Sequence, residues 1–130
     1  MTPTARRAWV AVGGGLAIQL LATSLPGRDV PISAGHPWDW FIHATMYGGL
    51  GFLIVRAATL SGWTVHRAWG RLVRLAVVLS VYGALDELHQ LFIPGRSADV
   101  SDWAFDTLGA VLGLLIGSWL MASKAAKWLR

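Results

Sequence analysis

Residues 101–122 read SDWAFDTLGAVLGLLIGSWLMA, and their only charges, Asp102 and Asp106, stand near one end. About 20 helical apolar residues cross a hydrocarbon layer about 30 Å thick, so this stretch predicts a membrane-spanning helix. Gly109, Gly113 and Gly117 recur at every fourth position and mark a face where another backbone can approach closely in lipid. Asp106 lies seven residues before Gly113, on the same stripe, so it is expected to look into a bundle. An ionisable group inside a bilayer is costly and usually functional.

Three further runs have comparable length. Residues 8–25 are 18 uncharged residues stopped by Pro26-Gly27. Residues 38–60 carry Asp39 at the start and Arg56 near the far end, where its side chain can snorkel. Residues 71–92 end before Pro94-Gly95 and hold eleven uncharged residues between Arg74 and Asp86. That is short, yet a helix rises roughly 24 Å from Arg71 to Glu87, nearly a membrane crossing. Backbone polar groups in lipid must be satisfied within their own segment, so each run should be helical. The expectation is all-α: one domain over residues 1–130, an integral membrane bundle of four transmembrane helices at about 8–25, 38–60, 71–92 and 101–122. Arg6 and Arg7 before the first run imitate a signal peptide, with Ala22-Thr23-Ser24 as a weak cleavage site, but the run is long for one.

Composition agrees. The chain is 55% hydrophobic and 14% charged, with a mean hydropathy of +0.52, whereas soluble domains are about a quarter charged. It has no cysteine, which excludes disulfides and thiolate-held metals. The net charge of +4 is not spread as a nucleic-acid surface would be. In a four-span arrangement Arg6, Arg7, Arg56, Arg67, Arg71, Arg74, Lys124, Lys127 and Arg130 share one side, and only Arg28 and Arg96 lie opposite. The positive-inside rule makes the basic side cytoplasmic, with both termini there and the chain in the cytoplasmic membrane. Trp9, Trp63, Trp69, Trp119 and Trp128 then form an inner aromatic belt, and Trp38, Trp40 and Trp103 an outer one.

All seven acids fall on the outer side, a segregation that the positive-inside rule does not require. Asp39, His43 and Tyr47 recur every fourth residue and stack on one helical face. Asp86-Glu87-Leu88-His89-Gln90 closes the third run; Asp86 with His89 and Glu87 with Gln90 are i, i+3 pairs. Adjacent Asp86 and Glu87 point about 100° apart, so at most one is expected to face the bundle centre. Arg96 follows Pro94-Gly95, and its guanidinium suits a carboxylate or phosphate, or a salt bridge to Asp99, Asp102 or Glu87. Asp102 suits a helix N-terminus. Gly48, Gly49 and Gly51 offer a partner surface for the glycine stripe. Three helices and a loop thus deliver these groups to one level.

In their order, these residues resemble the VanZ-like family of bacterial membrane proteins. Asp39-x-x-x-His43-x-x-x-Tyr47-x-x-Leu50-Gly51 is similar to its first motif. Asp86-Glu87-x-His89-Gln90-x-Phe92-x-Pro94-Gly95-Arg96, then Asp102 and Leu108-Gly109, is similar to its second. Trp40 stands where the family often has Lys, and Asp106 where it usually has Asn. The family's namesake is associated with low-level resistance to teicoplanin, a glycopeptide that binds cell-wall precursors outside the membrane.

Several functions fit these residues. As an enzyme on a lipid-linked or envelope substrate, the chain would use His43 or Glu87 as general base, with Asp39, Asp102 and Asp106 beside them. Arg96 would hold an anionic group, helped by Tyr47, Asp86, His89 and Gln90. A metal-assisted version would use His43, His89 and carboxylates as ligands, although no specific metal motif occurs and no cofactor is indicated. As a binder, the pocket would hold an anionic headgroup or the glycopeptide, or assist a partner protein. Four short helices leave little room for a transport path unless chains oligomerise, and a purely structural polar network is a further reading. Membrane lipids are the expected surroundings, with spare glycine faces available for homo-oligomers.

Overall fold

In a computed structural model the described residues are 1–27, 38–63 and 68–128, with side chains described as far as residue 123. The charge and tryptophan assignments made for Arg28, Asp29, Arg67, Lys124, Lys127, Trp128 and Arg130 lie outside these. The described residues form four α-helices: α1 Pro3–Thr23, α2 Trp38–Leu60, α3 Trp69–Gln90 and α4 Val100–Trp128. Two of them, α2 and the Val100–Ser123 part of α4, are long and apolar enough to cross a membrane.

The boundaries follow local chemistry. Helix α1 begins five residues before the apolar run, because Thr2 Oγ1 accepts the Ala5 N–H at 3.2 Å and Pro3 takes the first position. Arg6 and Arg7 therefore lie inside it. Helix α3 starts and stops two residues earlier than the expected 71–92. Pro94 disfavours helical geometry at Ile93, and a turn forms there instead, with Arg96 N–H donating to the Ile93 carbonyl at 3.1 Å. Helix α4 runs six residues past the expected end, through good helix formers such as Ala125, Ala126 and Lys127.

Contacts along the helices fix their directions. Ala44 and Gly48 of α2 meet Gly109 and Gly113 of α4, and Val55 meets Gly117, so α2 and α4 run parallel. Trp9 donates Nε1–H to Ser61 Oγ at 2.9 Å while Gly15 faces Leu50 and Leu53, so α1 runs antiparallel to α2. Ser80 and Thr107 hydroxyls lie 2.9 Å apart and Asp99 N–H donates to Glu87 Oε2 at 2.8 Å, so α3 runs antiparallel to α4. One end of the bundle therefore gathers the C-termini of α1 and α3 and the N-termini of α2 and α4. At the other end Trp9 packs edge-on against Trp63, 6.1 Å between ring centres.

The α2–α4 seam is the most extensive helix contact. A Cβ on Gly109 would collide with the Ala44 carbonyl, and one on Gly113 with the Gly48 carbonyl. A Cβ on Gly51 would stand 2.7 Å from the Ala110 carbonyl. Of the three glycines expected to face α4, Gly48 and Gly51 do; Gly49 has open space at its Cβ position.

Candidate functional site

The gathered helix ends bury polar groups that a water-soluble fold would leave outside. His43, Asp86, Glu87, Gln90, Asp102 and Asp106 are all buried, and Asp106 is 0% exposed. The glycine seam explains Asp106: one turn before Gly109 on the same stripe, it is pressed against α2 and α3 with the backbones already in contact. The expected inward direction of Asp106 is met.

His43 sits at the centre. Its Nδ1 lies 2.9 Å from Asp106 Oδ1. Its Nε2 lies 3.9 Å from Asp102 Oδ2 and 4.0 Å from Asp39 Oδ1, one turn earlier on α2. Asp106 thus orients the imidazole through Nδ1, while the carboxylates of Asp102 and Asp39 stand on the Nε2 side. Ligand atoms of His43, Glu87 and Asp106 all lie within 4.8 Å of one another. His89, expected among the ligands in the metal-assisted reading, is not in that group; it is half-buried and its Nδ1 has no hydrogen-bond partner.

Asp86 and Glu87 correct a second expectation. Both are buried, not one of the two. The end of α3 is enclosed from two directions. On one flank Thr23 of α1 donates its hydroxyl to Asp86 Oδ1 at 2.8 Å. On the other, Glu87 Oε2 accepts from Asp99 N–H, and Glu87 Oε1 accepts from Gln90 Nε2 at 3.2 Å. A 100° separation is accommodated because protein lies on both sides of the helix.

Beside His43 is a cavity of about 200 Å³. Gln19 and Thr23 border it from α1, Leu25 from the turn after α1, Asp39, His43 and Tyr47 from α2, and Asp86 and Arg96 complete it. Arg96 donates an N–H to the Ala22 carbonyl at 3.2 Å, so the loop after α3 docks on the end of α1. Gly27 N–H adds a 3.0 Å bond to the Pro94 carbonyl. The Tyr47 ring packs against Tyr82, 5.9 Å between centres. Trp40 stacks on Phe105 at 4.9 Å and donates to Ser101 Oγ, holding the first turns of α2 and α4 together.

Sequence reasoning missed Gln19 and Thr23. Both are buried on α1, four residues apart, in a run counted only as uncharged. The available signal was that spacing: two polar residues on one helical face, close to the end where the acids collect.

Neither the comparison with curated proteins nor that with solved structures gives a match. A protein-family model described as VanZ/LLP1 matches residues 18–121, which include Gln19, Thr23 and every group of the buried cluster. The chain belongs to the VanZ/LLP1 family.

Proposed function

We propose that this chain is a four-span protein of the bacterial cytoplasmic membrane, with both termini cytoplasmic. Near its extracytoplasmic face, a polar pocket takes the anionic headgroup of a lipid-linked or cell-wall-related substrate. The inverted distribution of side chains supports the membrane setting: Val10, Leu21, Phe41, Val78, Leu88 and Ile116 are exposed while carboxylates are buried. Those exposed residues come from all four helices, so α1 and α3 cross with the two more apolar ones. Lipid around such a surface removes the cost of its exposure.

The observation that carries the headgroup reading is a set of buried polar atoms around the cavity without a partner. They are both amide atoms of Gln19, the Tyr47 hydroxyl, Asp86 Oδ2 and Arg96 Nε. Buried polar atoms are ordinarily hydrogen-bonded, so a polar ligand is the natural complement. A guanidinium beside amide and hydroxyl donors recognises phosphate or carboxylate. Leu25, Ile42 and Met46 on the same wall suit an apolar stem. His43, Asp106 and Glu87 form the reactive end, behind the His43 wall.

The test uses the full chain in lipid nanodiscs with a polyprenyl phosphate and the neutral polyprenol as probes. The phosphate should bind and the alcohol should not; Arg96→Gln should weaken phosphate binding by at least tenfold. Product analysis after long incubation separates an enzyme from a binder, since a binder returns the ligand unchanged. Equal binding of phosphate and alcohol would contradict the proposal. A link to teicoplanin resistance rests on family membership alone; the inhibitory concentration in a sensitive host expressing the chain, against the same host with Arg96→Gln, checks it.

A further inference from the structure

Four carboxylates, those of Asp86, Glu87, Asp102 and Asp106, are buried at one end of the bundle with His43, the one buried imidazole among the described residues. Charge withdrawn from water needs compensation. Hydrogen bonds supply part of it: Thr23 to Asp86, and Gln90 and Asp99 N–H to Glu87. Three buried oxygens have no such partner: Asp86 Oδ2, Asp102 Oδ1 and Asp106 Oδ2. Asp106 is fully enclosed, and its unpartnered oxygen faces Gly83, which lies one turn before Glu87 on α3. That oxygen is therefore directed to the side of the cluster from which Glu87 approaches.

The donor atoms of His43, Glu87 and Asp106 lie within 4.8 Å of one another. Ligand atoms bound at about 2.1 Å to one ion stand at most about 4.2 Å apart, so side-chain shifts below about 1 Å would close the set. We propose that His43, Glu87 and Asp106 bind a divalent transition-metal ion of the Mn²⁺ or Zn²⁺ type, joining α2, α3 and α4. One imidazole with two carboxylates favours such an ion over Mg²⁺ or Ca²⁺, which prefer oxygen alone. The bonds from Gln90 and Asp99 to Glu87 are the kind of outer support that orients ligating carboxylates. In this arrangement the ion takes the place of the proton between His43 Nδ1 and Asp106 Oδ1, 2.9 Å apart, so His43 ligates through Nδ1 and is not a general base. The inference deepens the headgroup reading by naming what its reactive end holds, and its test does not require that a headgroup binds.

Full-length protein in detergent, stripped with a chelator, is titrated calorimetrically with Mn²⁺, Zn²⁺ and Mg²⁺. The expected result is one Mn²⁺ or Zn²⁺ per chain at micromolar or tighter affinity, at least tenfold weaker Mg²⁺ binding, and a higher melting temperature with the ion. Glu87→Gln and Asp106→Asn, which preserve shape, should each weaken binding at least tenfold, while Gly13→Ala, on an open face of α1 away from the cluster, should leave it unchanged. Pulsed EPR of the Mn²⁺-loaded wild-type protein, which needs no variant to fold, should show coupling to an imidazole nitrogen. No saturable binding, binding that survives both carboxylate substitutions, or no nitrogen coupling would overturn the inference. Arg96→Gln separates the two proposals: it should lose the polyprenyl phosphate and keep the ion. Phosphate binding to a chain that takes up no ion would sink this inference alone.

Discussion

The α2–α4 seam and the α1–α3 side of the bundle are built on different terms. Along the seam, backbones touch: Gly109 lies on Ala44, Gly113 on Gly48, and Gly51 on Ala110. On the other side few residues of α1 and α3 meet, a cavity opens, and the side-chain bond joining the two helices runs from Thr23 to Asp86. The seam holds Asp39, His43, Asp102 and Asp106 as one unit with little freedom. The α1–α3 side brings Gln19, Thr23, Asp86 and, through its loop, Arg96 to that unit by polar contacts that can be exchanged for a ligand. On the proposed function, the rigid half would keep the polar groups in register and the looser half would admit the headgroup.

The comparison is most exposed at Gly113. Gly113→Leu drives a side chain into the Gly48 carbonyl, and overpacking of this kind should cost more than about 3 kcal/mol. The folded, monodisperse fraction recovered in detergent reports it, and normal recovery would mean that the seam is not close-packed. Thr23→Val should cost about 1–3 kcal/mol by leaving buried Asp86 without its donor, seen as a lower melting temperature and, if the cavity is the ligand site, altered phosphate affinity. Trp103→Phe removes the 3.0 Å bond from Nε1–H to the Ser80 carbonyl between α4 and α3 and should cost about 1 kcal/mol. The smallest effect is expected on α1. Gly13 has nothing within 4 Å of its Cβ position, so Gly13→Ala should gain about 0.5–1 kcal/mol of helix stability. Equal losses from Gly13→Ala and Gly113→Ala would erase the contrast.

Much of this contrast was legible in the chain. The 38–60 run coincides with α2, and the glycine stripe carried Asp106 inward as its spacing implied. Both readings depend on periodicity within a single helix, which sequence encodes directly. What was hidden depends on neighbours. Burial of both Asp86 and Glu87 required Thr23 on one flank and the Asp99 backbone on the other, and neither flank is visible from α3 alone. The separation of His89 from His43 and Asp106 is also a matter of how α3 is turned against α4. Gln19 and Thr23 were passed over because a hydropathy run ignores uncharged polar residues, although they pay for their burial only where other polar groups wait. The early start of α1 was readable in Thr2-Pro3, a capping signal that apolarity does not register.

The central claim is that four crossings bring these groups together outside the cytoplasm, and the absence of native cysteine makes it directly testable. Single cysteines are placed at Thr2, Trp38, Trp63, Ser97 and Ser123, and intact cells are treated with a membrane-impermeant maleimide. The account predicts labelling of positions 38 and 97 from outside, and of 2, 63 and 123 only after permeabilisation. Positions 38 and 97 reachable from opposite compartments, or all five reachable only after permeabilisation, would contradict it.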